Sequence, residues 1–153
     1  MFHKFLITLL IVFFALHSFG ESQALDRSYF IGTWKGEGRI IVAWSEQKQL
    51  SFDLQLDSEG NVSGKIGDAQ IKQGTIRHNN IIYRLMGNRE YIVDAELSGY
   101  IIEKEKVKRD TIRIFLDLEQ PFLMGGFHTS GSKFGGKEKM ILSGTGVKIE
   151  RRK

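Results

Sequence analysis

The feature that most constrains this chain is a two-residue rhythm of apolar and polar side chains. In Leu50-Ser51-Phe52-Asp53-Leu54-Gln55-Leu56-Asp57 the alternation is unbroken. Successive side chains of a strand point to opposite faces, so one face of this segment is apolar and the other is polar. Such a half-buried strand belongs to an antiparallel sheet with one side on a core and one side in water. Thr111 to Leu118 repeats the pattern with Ile112, Ile114, Leu116 and Leu118 inward. Tyr91, Val93, Ala95 and Leu97 share a face, as do Ile81, Tyr83 and Leu85 opposite Arg84.

The segment from Trp34 to Trp44 narrows the architecture. Trp34, Gly36, Gly38, Ile40, Val42 and Trp44 fall on one face, with Lys35, Glu37 and Arg39 on the other. Two glycines on an inward face leave room for close approach or a sharp bend, as in barrels. Seventeen glycines in 153 residues and a single proline fit a sheet that must curl. A hydrophobic-Ser-Gly triplet recurs at Val62, Leu97 and Leu142, at unequal spacing, so it marks strand bends and not a solenoid repeat. Strands are expected over 33–44, 48–57, 61–66, 69–77, 80–86, 90–102, 110–118, 137–144 and 146–151. Short turn signals such as Asp57-Ser58-Glu59-Gly60-Asn61 separate them. The expected fold class is all-β: one antiparallel up-and-down barrel of about eight to nine strands. A short helix over 25–30 is suited to plug one barrel end. Outward-facing Asp53, Asp57, Lys35 and Glu37 argue against an outer-membrane barrel, whose outer face is apolar.

The front of the chain has the layout of a secretory signal peptide: Lys4, then the apolar run 5–16, then small residues at cleavage-like spacing. The run meets His17 and Ser18 before reaching the ~20 residues that a spanning helix needs. The division expected is therefore a signal peptide over 1–24 and a barrel domain over 25–153, with no membrane span after cleavage. The absence of cysteine removes thiol chemistry, cysteine metal sites and disulfides, and so favours a periplasmic or secreted bacterial protein over a small eukaryotic secreted domain. The leader carries one charge of each sign, Lys4 and Glu21, so the net charge of +4 belongs to the mature chain. It is spread along the sequence without a clustered basic face, and no nucleic-acid partner is expected.

Tyr29-Phe30-Ile31-Gly32-Thr33-Trp34-Lys35 resembles the opening of the calycins, the superfamily of lipocalins, avidins and fatty-acid-binding proteins. The resemblance implies that Gly32 and Trp34 close one barrel end, and that Arg151 on the last strand packs on the indole as a cation–π partner. It also implies a small apolar or amphipathic ligand inside the barrel. The two helices that follow the first strand in intracellular fatty-acid-binding proteins have no counterpart here, and a Thr-Asp-Tyr motif of the lipocalin kind is missing.

Motifs that carry chemistry are sparse. Gly131-Ser132-Lys133-Phe134-Gly135-Gly136-Lys137 has a P-loop outline, but Glu138 stands where Ser or Thr should hold magnesium, and the residues after it read as strand. The mature chain holds two histidines, His78 and His128, too few for the three ligands of a catalytic zinc site, so neither metal nor other cofactor is expected. Asp94 and Glu96 lie about 7 Å apart along one strand face, within the range of glycosidase carboxylate pairs, but on the polar face. Glu103 to Asp110 reads as a solvated, charged hairpin end, and the segment 121–136 as an irregular, Phe-rich connection. No enzymatic activity is expected.

Two readings of function remain. In the first, an exported barrel binds a small apolar ligand through Trp44, Phe52, Leu54, Tyr83, Tyr91 and Ile114 inside and Phe122, Phe127 and Phe134 at a lip. In the second, the same side chains fill the interior, and the barrel is a non-catalytic envelope-structural or protein-interaction domain. An eight-stranded barrel has room for either outcome.

Overall fold

The computed structural model describes residues 27–131 and 141–152. The signal peptide expected over 1–24 lies outside them, as do Phe134 and half of the strand expected over 137–144. Ten strands follow a 3-10 turn at Arg27–Tyr29: β1 (Gly32–Ile40), β2 (Gln49–Leu56), β3 (Val62–Ile66), β4 (Ala69–His78), β5 (Tyr91–Ser98), β6 (Tyr100–Ile102), β7 (Val107–Lys108), β8 (Thr111–Glu119), β9 (Phe122–Ser130) and β10 (Ser143–Arg151). Eight of them form a closed antiparallel barrel in the order β1-β10-β9-β8-β5-β4-β3-β2. Each barrel strand pairs with the next in the chain, and β10 closes the ring on β1. The up-and-down barrel expected from the alternation is present. The β6–β7 hairpin is inserted between β5 and β8 and forms its own two-stranded sheet.

Closure needs bends, and two bulges supply them. Gly146 is an extra residue of β10 against both β1 and β9, and its φ of 61° lies in the left-handed region that glycine adopts without strain. Lys72 is the extra residue of β4 against β5. The core follows the sequence rhythm: Leu50, Phe52, Leu54 and Leu56 of β2 face Ile112, Ile114 and Leu116 of β8 within one buried cluster.

Two expectations about strands are corrected. The segment 80–86 is not a strand but carries the helix α1 (Ile81–Leu85). Asn80 caps it, its side-chain oxygen accepting from Ile82 N at 2.9 Å. Gly87 N donates to Arg84 O and Asn88 N to Tyr83 O, which is a Schellman closure with glycine at φ 81°. Over five residues, alternation and helical period cannot be told apart, and the caps decide. The segment 121–136 is not irregular throughout, since Phe122–Ser130 is a full barrel strand. Its inward residues are Leu123, Gly125, Phe127 and Thr129, and the glycine and threonine hide the period.

The charged hairpin also departs from expectation. Glu103 and Lys104 at its tip are exposed, but Ile101, Ile102, Val107 and Arg109 are buried, so it covers a barrel end. Asp68 N donates to Ile101 O, and Asp68 Oδ2 accepts from Glu103 N, fixing the hairpin to the β3–β4 turn.

Candidate functional site

The barrel has two differently built ends. The lower end carries the 3-10 turn, the starts of β1, β5 and β9, and α1. The upper end carries the β6–β7 hairpin and the chain that joins β1 to β2.

At the lower end an aromatic plug is assembled from three strands and the entering chain. Trp34 Nε1 donates to Phe30 O at 2.8 Å, and the Tyr29 ring lies 6.1 Å from the Trp34 ring. Phe30 meets Tyr91 edge-on at 4.8 Å, and His78 lies 5.1 Å from Tyr91. Burial, followed by the nearby Glu90, pushes the Tyr91 phenol above its ordinary value. Burial and the Arg84 guanidinium hold His78 below its ordinary value, against a smaller opposing effect of Glu90. His78 Nδ1 is buried, with no hydrogen-bond partner among the described residues.

Gly32 opens β1, Trp34 is fully buried two residues on, and Arg151 stands opposite Trp34 in the β1–β10 register. The Arg151 guanidinium lies against Gly32, its Nε 3.2 Å from where a side chain there would begin. The cation–ring contact found among the described residues is a different one, Lys148 Nζ at 4.0 Å from the centre of the Phe122 ring.

The residues expected to line a ligand cavity separate into groups. Phe52, Leu54, Ile114 and Phe127 all point inward and are at most 3% exposed. Phe52 and Phe127, from β2 and β9, meet across the interior with ring centres 5.6 Å apart. Glycines opposite give these rings their room. A Cβ at Gly38 would lie 3.3 Å from the Phe52 ring and 2.8 Å from Val147 Cγ2, and one at Gly144 would collide with the Phe127 ring. Tyr91 joins the lower plug, and Trp44 packs partly buried against the core. Tyr83 is not inside: it stands exposed on α1, because that segment is helical. Phe122 is on the outer face of β9 beneath Lys148, since β9 turns Leu123 inward.

Among the described residues, clefts open on the outer surface. One of about 470 Å³ crosses β4, β5, β8 and β9 and is lined by Gln73, Thr75, Asp94, Glu96, Arg113 and His128 among others. Thr75, Asp94, Arg113 and His128 are successive cross-strand neighbours there. Asp94 accepts from Arg77 and Arg113. Partial burial would raise its carboxyl, but the hydrogen bonds from Arg113 and Arg77 outweigh it and hold the group below the ordinary range. An aspartate so held is an anion at neutral pH with its lone pairs engaged, not a proton donor. The carboxylate pair noted in the sequence is thus divided, with Asp94 fixed by arginines and Glu96 exposed. The second cleft, about 390 Å³, lies under α1 and is lined by Ile81, Arg84, Leu85, Asn88, Glu90 and Asp117. Among the described residues no three histidine, aspartate or glutamate side chains gather to hold a metal ion, and no helix is long and apolar enough to cross a membrane.

Sequence reasoning missed the upper end. Arg109 is 2% exposed, and its Nε donates to Thr129 Oγ1 at 2.8 Å. Thr129 Oγ1 in turn donates to Leu142 O and accepts from Leu142 N, so it joins the start of β8, the end of β9 and the approach to β10. A charged residue in a run of charges gives no sign of burial. The one available signal was Thr129 at an inward position of β9.

The fold defines an eight-stranded closed antiparallel barrel, an architecture compatible with the calycin resemblance. No protein-family model, curated protein or solved structure matches the chain.

Proposed function

We propose that this protein is a non-catalytic, exported barrel domain, filled rather than hollow, that serves the cell envelope through its outer surface and its ends. The observation that carries this reading is the closed packing of Phe52, Leu54, Ile114 and Phe127, at most 3% exposed. A carrier would need these side chains to present open surface to its ligand, since ligand sites are concave openings of ~300 Å³ or more. The described clefts are on the outside, and the larger is lined by charged and hydroxyl groups. The apolar leader supports export, and the paired charges of the outer face support a stable solvated surface.

The test is titration of the purified chain with fatty acids and with an apolar fluorescent dye. The emission of Trp34 and Trp44 and the urea midpoint are expected to stay unchanged. Saturable quenching would overturn the filled-barrel reading, as would stabilisation of about 2.7 kcal/mol at a hundredfold excess over Kd. Recovery of an N-terminally shortened chain from the periplasmic or culture fraction tests export separately.

A further inference from the structure

The helix α1 inverts the usual placement of side chains. Ile81, Ile82, Tyr83, Leu85 and Met86 are 56–83% exposed, and no residue of α1 is buried. Arg84, the polar member of the turn, is the shielded one, its side chain 32% exposed and folded back to Glu90 at 3.1 Å. The tip is built to hold this arrangement. Asn80 and the Gly87 closure fix its two ends. Asn79 Nδ2 donates to Arg89 O, Asp117 accepts from Glu90 N, and Arg89 pairs with Asp117 at the base. The exposed large apolar residues Ile41, Tyr100 and Ile141 do not form such a run in sequence. Contiguous exposed apolar side chains on a polar domain mark an interaction site.

From this geometry we infer that α1 is a membrane-docking tip that dips into the interfacial region of a bilayer. Its shape separates a bilayer from a protein partner. At 100° per residue the five apolar side chains cover more than half of the helix circumference, with Arg84 toward the barrel. A stable protein interface needs about 800 Å² per partner on a complementary face, which a convex five-residue tip does not offer. A fluid bilayer surrounds such a tip, and Tyr83 is suited to headgroup depth. The ion pairs Arg84–Glu90 and Arg89–Asp117 neutralise the base of the tip.

The chain outside the structure points the same way. The entering residue Phe30 packs on Tyr91, the first residue of β5 after α1, so the leader joins the barrel at the end that carries α1. Ten residues, 17–26, separate the apolar run 5–16 from Arg27, and they reach at most about 35 Å. Until it is removed, a leader engaged with the membrane therefore holds this end of the barrel at the lipid surface. The inference rests on the export reading for its setting but not on whether the interior is filled.

The absence of cysteine makes the test clean. Leu85→Cys and, on the opposite end, Lys104→Cys each place one environment-sensitive fluorophore on the full chain, bound to vesicles of phosphatidylethanolamine with a minority of phosphatidylglycerol. The label at 85 should shift to the blue, be quenched by nitroxide-bearing lipid and be protected from iodide, whereas the label at 104 should stay open to iodide. Adding Ile82→Glu and Met86→Glu should return the label at 85 to water without moving the urea midpoint. A label at 85 that stays open to iodide on vesicle-bound chain would mean that the leader alone holds the protein, and would overturn the inference. Protection without vesicles, with a doubled sedimenting mass, would assign the tip to a second copy and overturn it equally. Neither result bears on dye titration of the interior or on recovery from the exported fraction, so the export and filled-barrel readings fail or stand separately.

Discussion

The indole nitrogen of Trp34 donates to the carbonyl oxygen of Phe30 at 2.8 Å, and both residues are buried. The bond satisfies the one polar atom of the indole and a backbone acceptor that has no water to turn to. It also ties β1 to the turn that precedes it, so the chain entering the barrel becomes the plug of its lower end. Tyr29 and Phe30 extend the plug to Tyr91 through ring contacts.

Replacing the indole separates the bond from the packing. Trp34→Phe keeps a ring but leaves the Phe30 carbonyl unpaired, which should cost about 1–3 kcal/mol. Trp34→Ala adds a cavity and should cost about 3–5 kcal/mol. Urea unfolding read by far-ultraviolet circular dichroism checks both. A Trp34→Phe midpoint equal to that of the parent would show that the bond contributes nothing.

Gly38 is a volume prediction. A methyl group there would press on Val147 and the Phe52 ring, at 2.8 and 3.3 Å. Gly38→Ala should therefore destabilise by about 1–3 kcal/mol, as overpacking does. Adding Phe52→Leu should return part of that loss, because the smaller side chain vacates the contested space. Strict additivity of the two changes in a double-mutant cycle would mean that the glycine and the ring do not share it.

The parts of the fold legible in the sequence are those where one period repeats over a whole strand. Leu50 to Leu56 and Thr111 to Leu118 placed their inward residues correctly, because a buried face leaves no choice of register. Legibility failed where the inward position was not apolar or the run was too short. Gly125 and Thr129 concealed β9, and Ile81, Tyr83 and Leu85 suggested a strand where Asn80 and Gly87 specify a helix. The inward aromatics were readable as inward, but whether they fill or line the interior depends on distances across the barrel, such as Phe52 to Phe127, which no local pattern encodes. The exposure of α1 was unreadable for the same reason, since apolar side chains are expected to go inside.

Asp94 predicts an acid limb in the stability profile. Its folded pKa lies below the ordinary 3.8, so the unfolded chain binds a proton that the folded chain refuses. The stabilisation is then complete above 3.8 and fades as pH falls through the depressed folded value. The difference in urea midpoint between parent and Asp94→Asn should be constant at neutral pH and shrink in that acid window. More of the effect should vanish in Arg113→Gln than in Arg77→Gln, because Arg113 is the stronger of the two donors, and a difference independent of pH would contradict the assignment.

His78 predicts a second slope. Its folded pKa is lowered from 6.5 by burial first and then by Arg84, with Glu90 opposing, so the fold favours the neutral ring. Stability from this group is complete above 6.5 and falls as pH drops below that value, levelling off once the folded histidine also protonates. His78→Phe, which keeps an aromatic ring against Tyr91, should flatten the dependence of the urea midpoint on pH as the pH falls below 6.5. A slope unchanged by the substitution would place its origin in another group.

The upper end predicts a large cost for a small change in shape. Thr129 Oγ1 accepts from Arg109 Nε at 2.8 Å and from Leu142 N at 3.2 Å, and donates to Leu142 O at 3.0 Å. Thr129→Val keeps the volume and removes the hydroxyl, leaving a buried cationic donor and two backbone groups with one partner fewer. Breaking a buried hydrogen bond to a charged group costs about 1.5–3 kcal/mol. Because the lost bonds join β8, β9 and the approach to β10, exchange of the Leu142 amide with deuterium should quicken while that of Ile114, in the middle of β8, follows only the global stability. Arg109→Met in the same chain removes the buried charge and should recover part of the loss, as apolar replacement of a buried ionic group does. If Thr129→Val unfolds at the parent's urea midpoint, the hydroxyl is not what holds Arg109 inside.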